Sequence, residues 1–123
     1  MIAKKEGVSP DMVLVTGGSN EALRATGRYF GIEQKEIIAC KPTYLALLTY
    51  AKDFGCDINW VPLDKDLKYD LNEISRRTSK NTSMVFICNP NNPTGTMVGS
   101  NELEDFCVST SKQTCVFVDE AYY

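Results

Sequence analysis

The sequence predicts an α/β fold, a three-layer α/β/α domain with a mostly parallel sheet, and three observations predict it. Short apolar runs rich in β-branched residues alternate along the chain with segments whose apolar residues recur at helical spacing. The runs are apolar almost without interruption, as strands covered by helices on both faces are. Polar and conformationally special residues collect directly after the runs, at 17–20, 41–44, 89–95 and 119–122. In a sheet with right-handed crossovers these stretches share the carboxyl edge, where open α/β sheets bind ligands.

Each element has a local reason. Residues 12–16 (Met-Val-Leu-Val-Thr) follow the turn signal Ser9-Pro10-Asp11 and stop at Gly17-Gly18, which predicts a first buried strand. A helix is expected from Asn20, with Leu23, Thr26, Gly27 and Phe30 on one face and Gly31 as its left-handed terminal residue. A strand over 36–40, a turn at Lys41-Pro42-Thr43 and a helix carrying Tyr44, Leu47, Leu48, Ala51 and Phe54 up to Gly55 follow. Residues 57–63 predict a third strand. Asp70 with Glu73 forms a capping-box pattern that opens a short helix through Arg77, whose basic end suits the helix dipole. A fourth strand over 84–88, a helix marked by Leu103, Phe106 and Cys107, and a fifth strand over 114–118 complete the alternation.

Composition narrows the function classes. At 123 residues, 43% hydrophobic and 24% charged, the chain has the size and balance of one ordinary globular domain. Its net charge of −3 and scattered basic residues offer no stripe that could track a phosphate backbone, so no nucleic-acid partner is expected. No apolar run reaches bilayer length, and no apolar signal core follows Lys4 and Lys5, so no membrane partner and a cytoplasmic location are expected. The five cysteines form no Cys-x-x-Cys pair and read as reduced, buried thiols. The absence of histidine removes triads with an imidazole base and most zinc sites; no metal site is expected.

The most specific string is Asn89-Pro90-Asn91-Asn92-Pro93-Thr94-Gly95, directly after an apolar strand. Two Asn-Pro steps and a glycine make a rigid turn able to aim a side-chain amide. Asn92-Pro93 is a candidate cis peptide. Downstream, the last strand ends in Asp119-Glu120-Ala121-Tyr122, with Asn92 and Asp119 27 residues apart. That is close to one strand-helix-strand unit of roughly thirty residues, which places both at neighbouring strand ends. Gly17-Gly18-Ser19-Asn20 opens a helix after a strand, where backbone donors and the dipole suit a phosphate, although Ser or Asn there is equally an ordinary cap. No nucleotide-binding glycine spacing is present. On spacing alone Tyr44 fits a core tyrosine as well as a ligand-facing one.

Asn-Pro-x-Asn-Pro-Thr-Gly followed by Asp-x-Ala-Tyr resembles the fold-type I, pyridoxal-phosphate-dependent aminotransferases, and most of all their histidinol-phosphate aminotransferase branch. The resemblance implies pyridoxal phosphate as cofactor, a small-molecule amino donor and oxo-acid acceptor as substrates, and a homodimer. It gives Asp119 as partner of the cofactor's ring nitrogen. Asn92 and Tyr122 match donors to the ring hydroxyl, with Tyr123 the competing candidate to Tyr122. Tyr44 matches a ring stacked on the cofactor, and Gly18, Ser19 and Asn20 match phosphate contacts. Residues 1–123 then correspond to a central part of the family's large, cofactor-binding domain, truncated at the C-terminal side and also at the N-terminal side. The lysine that carries the cofactor covalently would lie beyond Tyr123, so no catalytic residue is assigned in this chain, which alone is expected to be inactive. A fold-type I decarboxylase or acyltransferase is the second reading, and a non-catalytic cofactor-binding or interaction domain the third.

All nine lysines precede Asp119, and none matches the family's covalent position. Borohydride reduction of the 123-residue chain with pyridoxal phosphate, followed by peptide mapping, is therefore expected to show no stoichiometric label at a single lysine. A uniquely labelled lysine would contradict this.

Overall fold

Four apolar runs supply the strands of the computed structural model, which describes all residues from Met1 to Tyr123. They are β1 (Glu36–Lys41), β2 (Asp57–Pro62), β3 (Thr82–Cys88) and β4 (Cys115–Asp119), all parallel, in the order β2-β1-β3-β4. The helices are α1 (Ile2–Glu6), α2 (Ser19–Ile32), α3 (Ala46–Asp53), α4 (Leu71–Arg77) and α5 (Ser100–Thr110).

Alternation along the central strands divides the core into two layers. Ile37, Ala39, Met84, Phe86 and Cys88 point to the face covered by α2 and α3, where they meet Leu23, Leu47, Leu48 and Ala51. Ile38, Cys40, Val85 and Ile87 point the other way, against Leu71 and Ile74 of α4 and Leu103 and Phe106 of α5. Every residue of β3 is buried, which explains the uninterrupted apolar run from Met84 to Cys88.

Residues 12–16 do not form a strand. Pro10–Met12 is a 3-10 turn, Val13 is extended, and no other strand lies beside the segment. Met12, Leu14 and Val15 are 72%, 82% and 75% exposed. β propensity sets local conformation, but a ladder needs a neighbour, and this segment has none. The sheet therefore has four strands rather than five. A cleft of about 580 Å³ lined by Met1, Ile2, Ala3, Lys5, Pro10, Val13 and Val15 lies along this segment and α1.

Gly31 does not terminate its helix. It lies inside α2, which continues to Ile32, and the left-handed backbone falls on Gln34 instead. Gly27 and Gly31, one turn apart, are where α3 crosses closest: a Cβ on Gly27 would stand 2.5 Å from Leu47 O, and one on Gly31 2.8 Å from Ala51 O. Gly55, at φ 99°, does take the left-handed role after α3. That helix starts at Ala46, so Tyr44 belongs to the preceding loop. Asp70 caps α4 by accepting from Glu73 N at 2.9 Å. The Glu73 carboxylate does not return to Asp70; it binds Arg76 and Arg77, whose hydrogen bonds hold it below the usual carboxylate range. The Lys41-Pro42, Asn89-Pro90 and Asn92-Pro93 bonds are cis.

The glycine contacts give a test. Alanine is favoured over glycine in a helix interior by about 0.8–1.0 kcal/mol. Gly27→Ala is nevertheless expected to destabilise the fold by about 1–3 kcal/mol, because the methyl meets α3 backbone that must move. Urea unfolding would show a lower midpoint at unchanged slope; an equal or higher midpoint would contradict the packing.

Candidate functional site

The site follows from strand ends. Cys88 and Asp119 are Cα partners at the ends of β3 and β4, so the loops that follow them leave the sheet side by side. Asn89 N donates to Asp119 O at 2.9 Å, extending the pairing by one residue. The Asn89 side chain closes the loop after β3 upon itself: Val98 N donates to its Oδ1 at 2.8 Å, and its Nδ2 donates to Val98 O at 3.4 Å. Asn91, buried, ties this loop to the one after β1. It accepts from Thr43 Oγ1 at 2.9 Å, and its Nδ2 donates to Pro42 O at 3.1 Å and Thr94 Oγ1 at 2.8 Å.

Ser19, Tyr44, Cys88, Asn92, Asp119, Ala121 and Tyr122 line one cavity of about 110 Å³ at this edge. Five of the seven residues singled out from the sequence are thus brought together, from four separate loops. Gly18 and Asn20 are not in its lining, although both flank Ser19 at the start of α2. Two open clefts continue the cavity: one of about 460 Å³ shares Tyr44 and Asn92, and one of about 210 Å³ shares Asn92 and Tyr122. Tyr123 lies instead in a separate cleft with Asn89, Leu103 and Val118.

The lining differs from its surroundings in how its polar groups are used. Asn89 and Asn91 have their amides engaged within the protein. The side chains of Ser19, Tyr44, Asn92 and Tyr122 make no hydrogen bond within the chain, while Asp119, 7% exposed, accepts only from Ala121 N, on Oδ1 at 3.2 Å. A carboxylate and four neutral polar groups are therefore free to bind something placed between them. At the start of α2, Gly18 has φ 106°, and Glu21 already accepts from Gly17 N at 2.5 Å.

Cys88 and Ala121 are lining residues that sequence reasoning missed. The available signal was position: Cys88 is the last strand residue before the Asn-Pro turn, and Ala121 lies inside Asp-Glu-Ala-Tyr. Burial, the larger cause, pushes the Cys88 thiol up; backbone hydrogen bonding at Asn92 opposes this and the Asp119 charge reinforces it. Cys40, deeper in the core, is pushed up to about 12, again mainly by burial.

The family model for aminotransferase class I and II matches residues 2–123. Histidinol-phosphate aminotransferase 2 of Bacillus cereus (strain ATCC 10987 / NRS 248) is 38% identical over 122 residues, which cover 99% of this chain and 33% of that protein. Aspartate aminotransferase from Thermotoga maritima superposes with a TM-score of 0.77 at 27% identity, over 97% of this chain and 34% of that one. L-threonine-O-3-phosphate decarboxylase from Porphyromonas gingivalis gives a TM-score of 0.78 at 20% identity, over 97% and 35% of the two chains, a likeness of fold. The chain spans about a third of the length of the curated relatives it matches.

A raised thiol carries a smaller fraction of thiolate, the reactive form, at a given pH than an unfolded one. At pH 8, iodoacetamide is expected to modify Cys88 and Cys40 much more slowly in the native chain than in urea, with the native rates rising as the pH is raised. Native Cys88 reacting as fast as an unfolded thiol would contradict its burial.

Proposed function

This chain belongs to the aminotransferase class I and II family, and from that premise we propose that it forms the pyridoxal-phosphate cradle of a transaminase. The enzyme moves an amino group between an amino acid or amino-phosphate and an oxo acid. One observation carries the reading: side chains from four segments line one cavity, those of Ser19, Tyr44, Asn92 and Tyr122 with no hydrogen bond in the chain and Asp119 with one oxygen free, beside two asparagines of the same turn whose amides are both engaged.

Pyridoxal phosphate, when bound, supplies an electron sink that works best with its ring nitrogen protonated. Asp119 is the group that holds this proton in place: it is buried at a strand end, and only one of its oxygens has a partner in the chain. Asn92 and Tyr122 donate to the ring hydroxyl oxygen and steady its charge. Tyr44, in the loop before α3, covers one ring face. Ser19, with the backbone of Gly18 and Asn20 at the start of α2, holds the phosphate.

In this reading the lysine that carries the cofactor and moves the substrate proton comes from outside these 123 residues. So does the cation that binds the substrate carboxylate. A homodimer working in the cytoplasm belongs to the same proposal. The histidinol-phosphate aminotransferases among the relatives favour an amino-phosphate of that kind as donor. The likeness in fold to a decarboxylase supports the second reading, in which the same cradle serves loss of carbon dioxide.

The test uses the protein carrying this chain, loaded with pyridoxal phosphate and given histidinol phosphate or other amino donors with an oxo acid. Amino transfer is expected, and Asp119→Asn should lower kcat by about a hundredfold or more, the scale of a lost electrostatic partner at a reacting centre. Release of carbon dioxide without amino transfer would establish the second reading and refute the first.

A further inference from the structure

Asn91 occupies the variable position of the Asn-Pro-x-Asn-Pro-Thr-Gly string, has no assigned role, and does not line the cavity. It is 3% exposed, and the hydrogen bonds around it run in one direction. Cys88 N donates to the Tyr69 hydroxyl at 3.1 Å. The phenol, acting there as acceptor, gives its own proton to Thr43 Oγ1 at 2.7 Å, and Thr43 gives its proton to Asn91 Oδ1 at 2.9 Å. Pro42 O, which can only accept, fixes which way the amide faces, because a flipped amide would set its oxygen against that carbonyl. Its Nδ2 then donates to Pro42 O and to Thr94 Oγ1. Thr94 passes a proton to Thr96 Oγ1 at 2.7 Å, and Thr96 donates to Leu67 O at 2.5 Å.

The chain of bonds joins the loops after β1, β2 and β3, and its members stand next to the cavity lining. Thr43 precedes Tyr44, Asn91 precedes Asn92, and Cys88 is itself a lining residue. Burial pushes the Tyr69 phenol well up, so it remains a proton donor throughout the working pH range. A buried network of this kind has one satisfied arrangement, and losing any member leaves others unpaired.

We propose that Asn91, oriented by Thr43 and Tyr69, is a positioning residue that sets the spacing and orientation of Tyr44 and Asn92 across the cavity. The proposal rests on the pyridoxal-phosphate reading of the site. It gives Tyr69, which also does not line the cavity, an effect on cofactor binding that a filler of the core would not have.

The experiment compares wild type, Asn91→Asp and Tyr69→Phe. Asn91→Asp keeps shape but turns a donor into an acceptor facing Pro42 O; Tyr69→Phe removes one hydroxyl without adding charge and carries the test if the first variant does not fold. Two quantities are read well below each variant's Tm. One is amide hydrogen exchange of residues 43–45, 88 and 91–96 without cofactor. The other is the affinity for pyridoxal phosphate and the visible circular dichroism of the bound form. Exchange is expected to rise together in both loops. Affinity should fall about tenfold, equivalent to ~1.4 kcal/mol, with the visible signal weakened and far-ultraviolet dichroism unchanged. A lower Tm with unaltered affinity and visible dichroism would overturn the proposal, as would exchange rising in only one loop. Wild type that takes up no pyridoxal phosphate would sink the cofactor reading, while the exchange result would still decide whether Asn91 couples the loops.

Discussion

Burial of β1 and β3 on both faces holds the sheet together and dictates how everything else is arranged around it. It gives the sheet its stability, yet it specifies register poorly: a one-residue slip of Ile37, Ile38, Ala39 and Cys40 would exchange one apolar face for another. Register must be set by polar groups at the strand ends. At the amino edge, the Glu36 carboxylate accepts from Asn59 Nδ2 on β2 at 3.2 Å and from Thr82 Oγ1 on β3 at 3.0 Å. At the carboxyl edge, Tyr69, Thr43 and Asn91 lock the loops that follow the same three strands. The strands are held like a ribbon pinned at both ends.

The carboxyl pin also separates two uses of one turn. In Asn89-Pro90-Asn91-Asn92, the first and third residues turn inward and bind loop backbone and side chains, and the fourth faces the cavity with its amide free. A rigid turn can aim Asn92 because its neighbours cannot move. Asp119 gains its place in the same way, through the β3–β4 pairing that carries on into Asn89 N.

How much of this could be read beforehand depended on whether the signal was local. The strands at 36–41, 57–62, 82–88 and 115–119 were legible within about two residues, because short, mostly apolar runs between turn residues leave little choice. Motif spacing placed Asn92 and Asp119 at adjacent strand ends, and the class I and II aminotransferase family was evident in the same residues. Residues 12–16 misled, because a β-branched run reports a preference for extended backbone and says nothing about a neighbour to pair with. Gly31 misled for a related reason: a glycine near the end of a helical pattern reads as a cap, whereas here it makes room for the backbone of α3. Asn91 and Tyr69 are 22 residues apart, and only the folded chain brings them together. Cys88 read as a core thiol, which it also is.

A crystal structure of the protein loaded with the cofactor would decide whether the cavity between Ser19, Tyr44, Asn92, Asp119 and Tyr122 is a pyridoxal-phosphate cradle. The ring nitrogen is expected within hydrogen-bond distance of Asp119, the ring hydroxyl between Asn92 and Tyr122, a ring face against Tyr44 and the phosphate at Ser19. Cofactor bound elsewhere, or bound here with its phosphate against Asp119, would contradict this assignment.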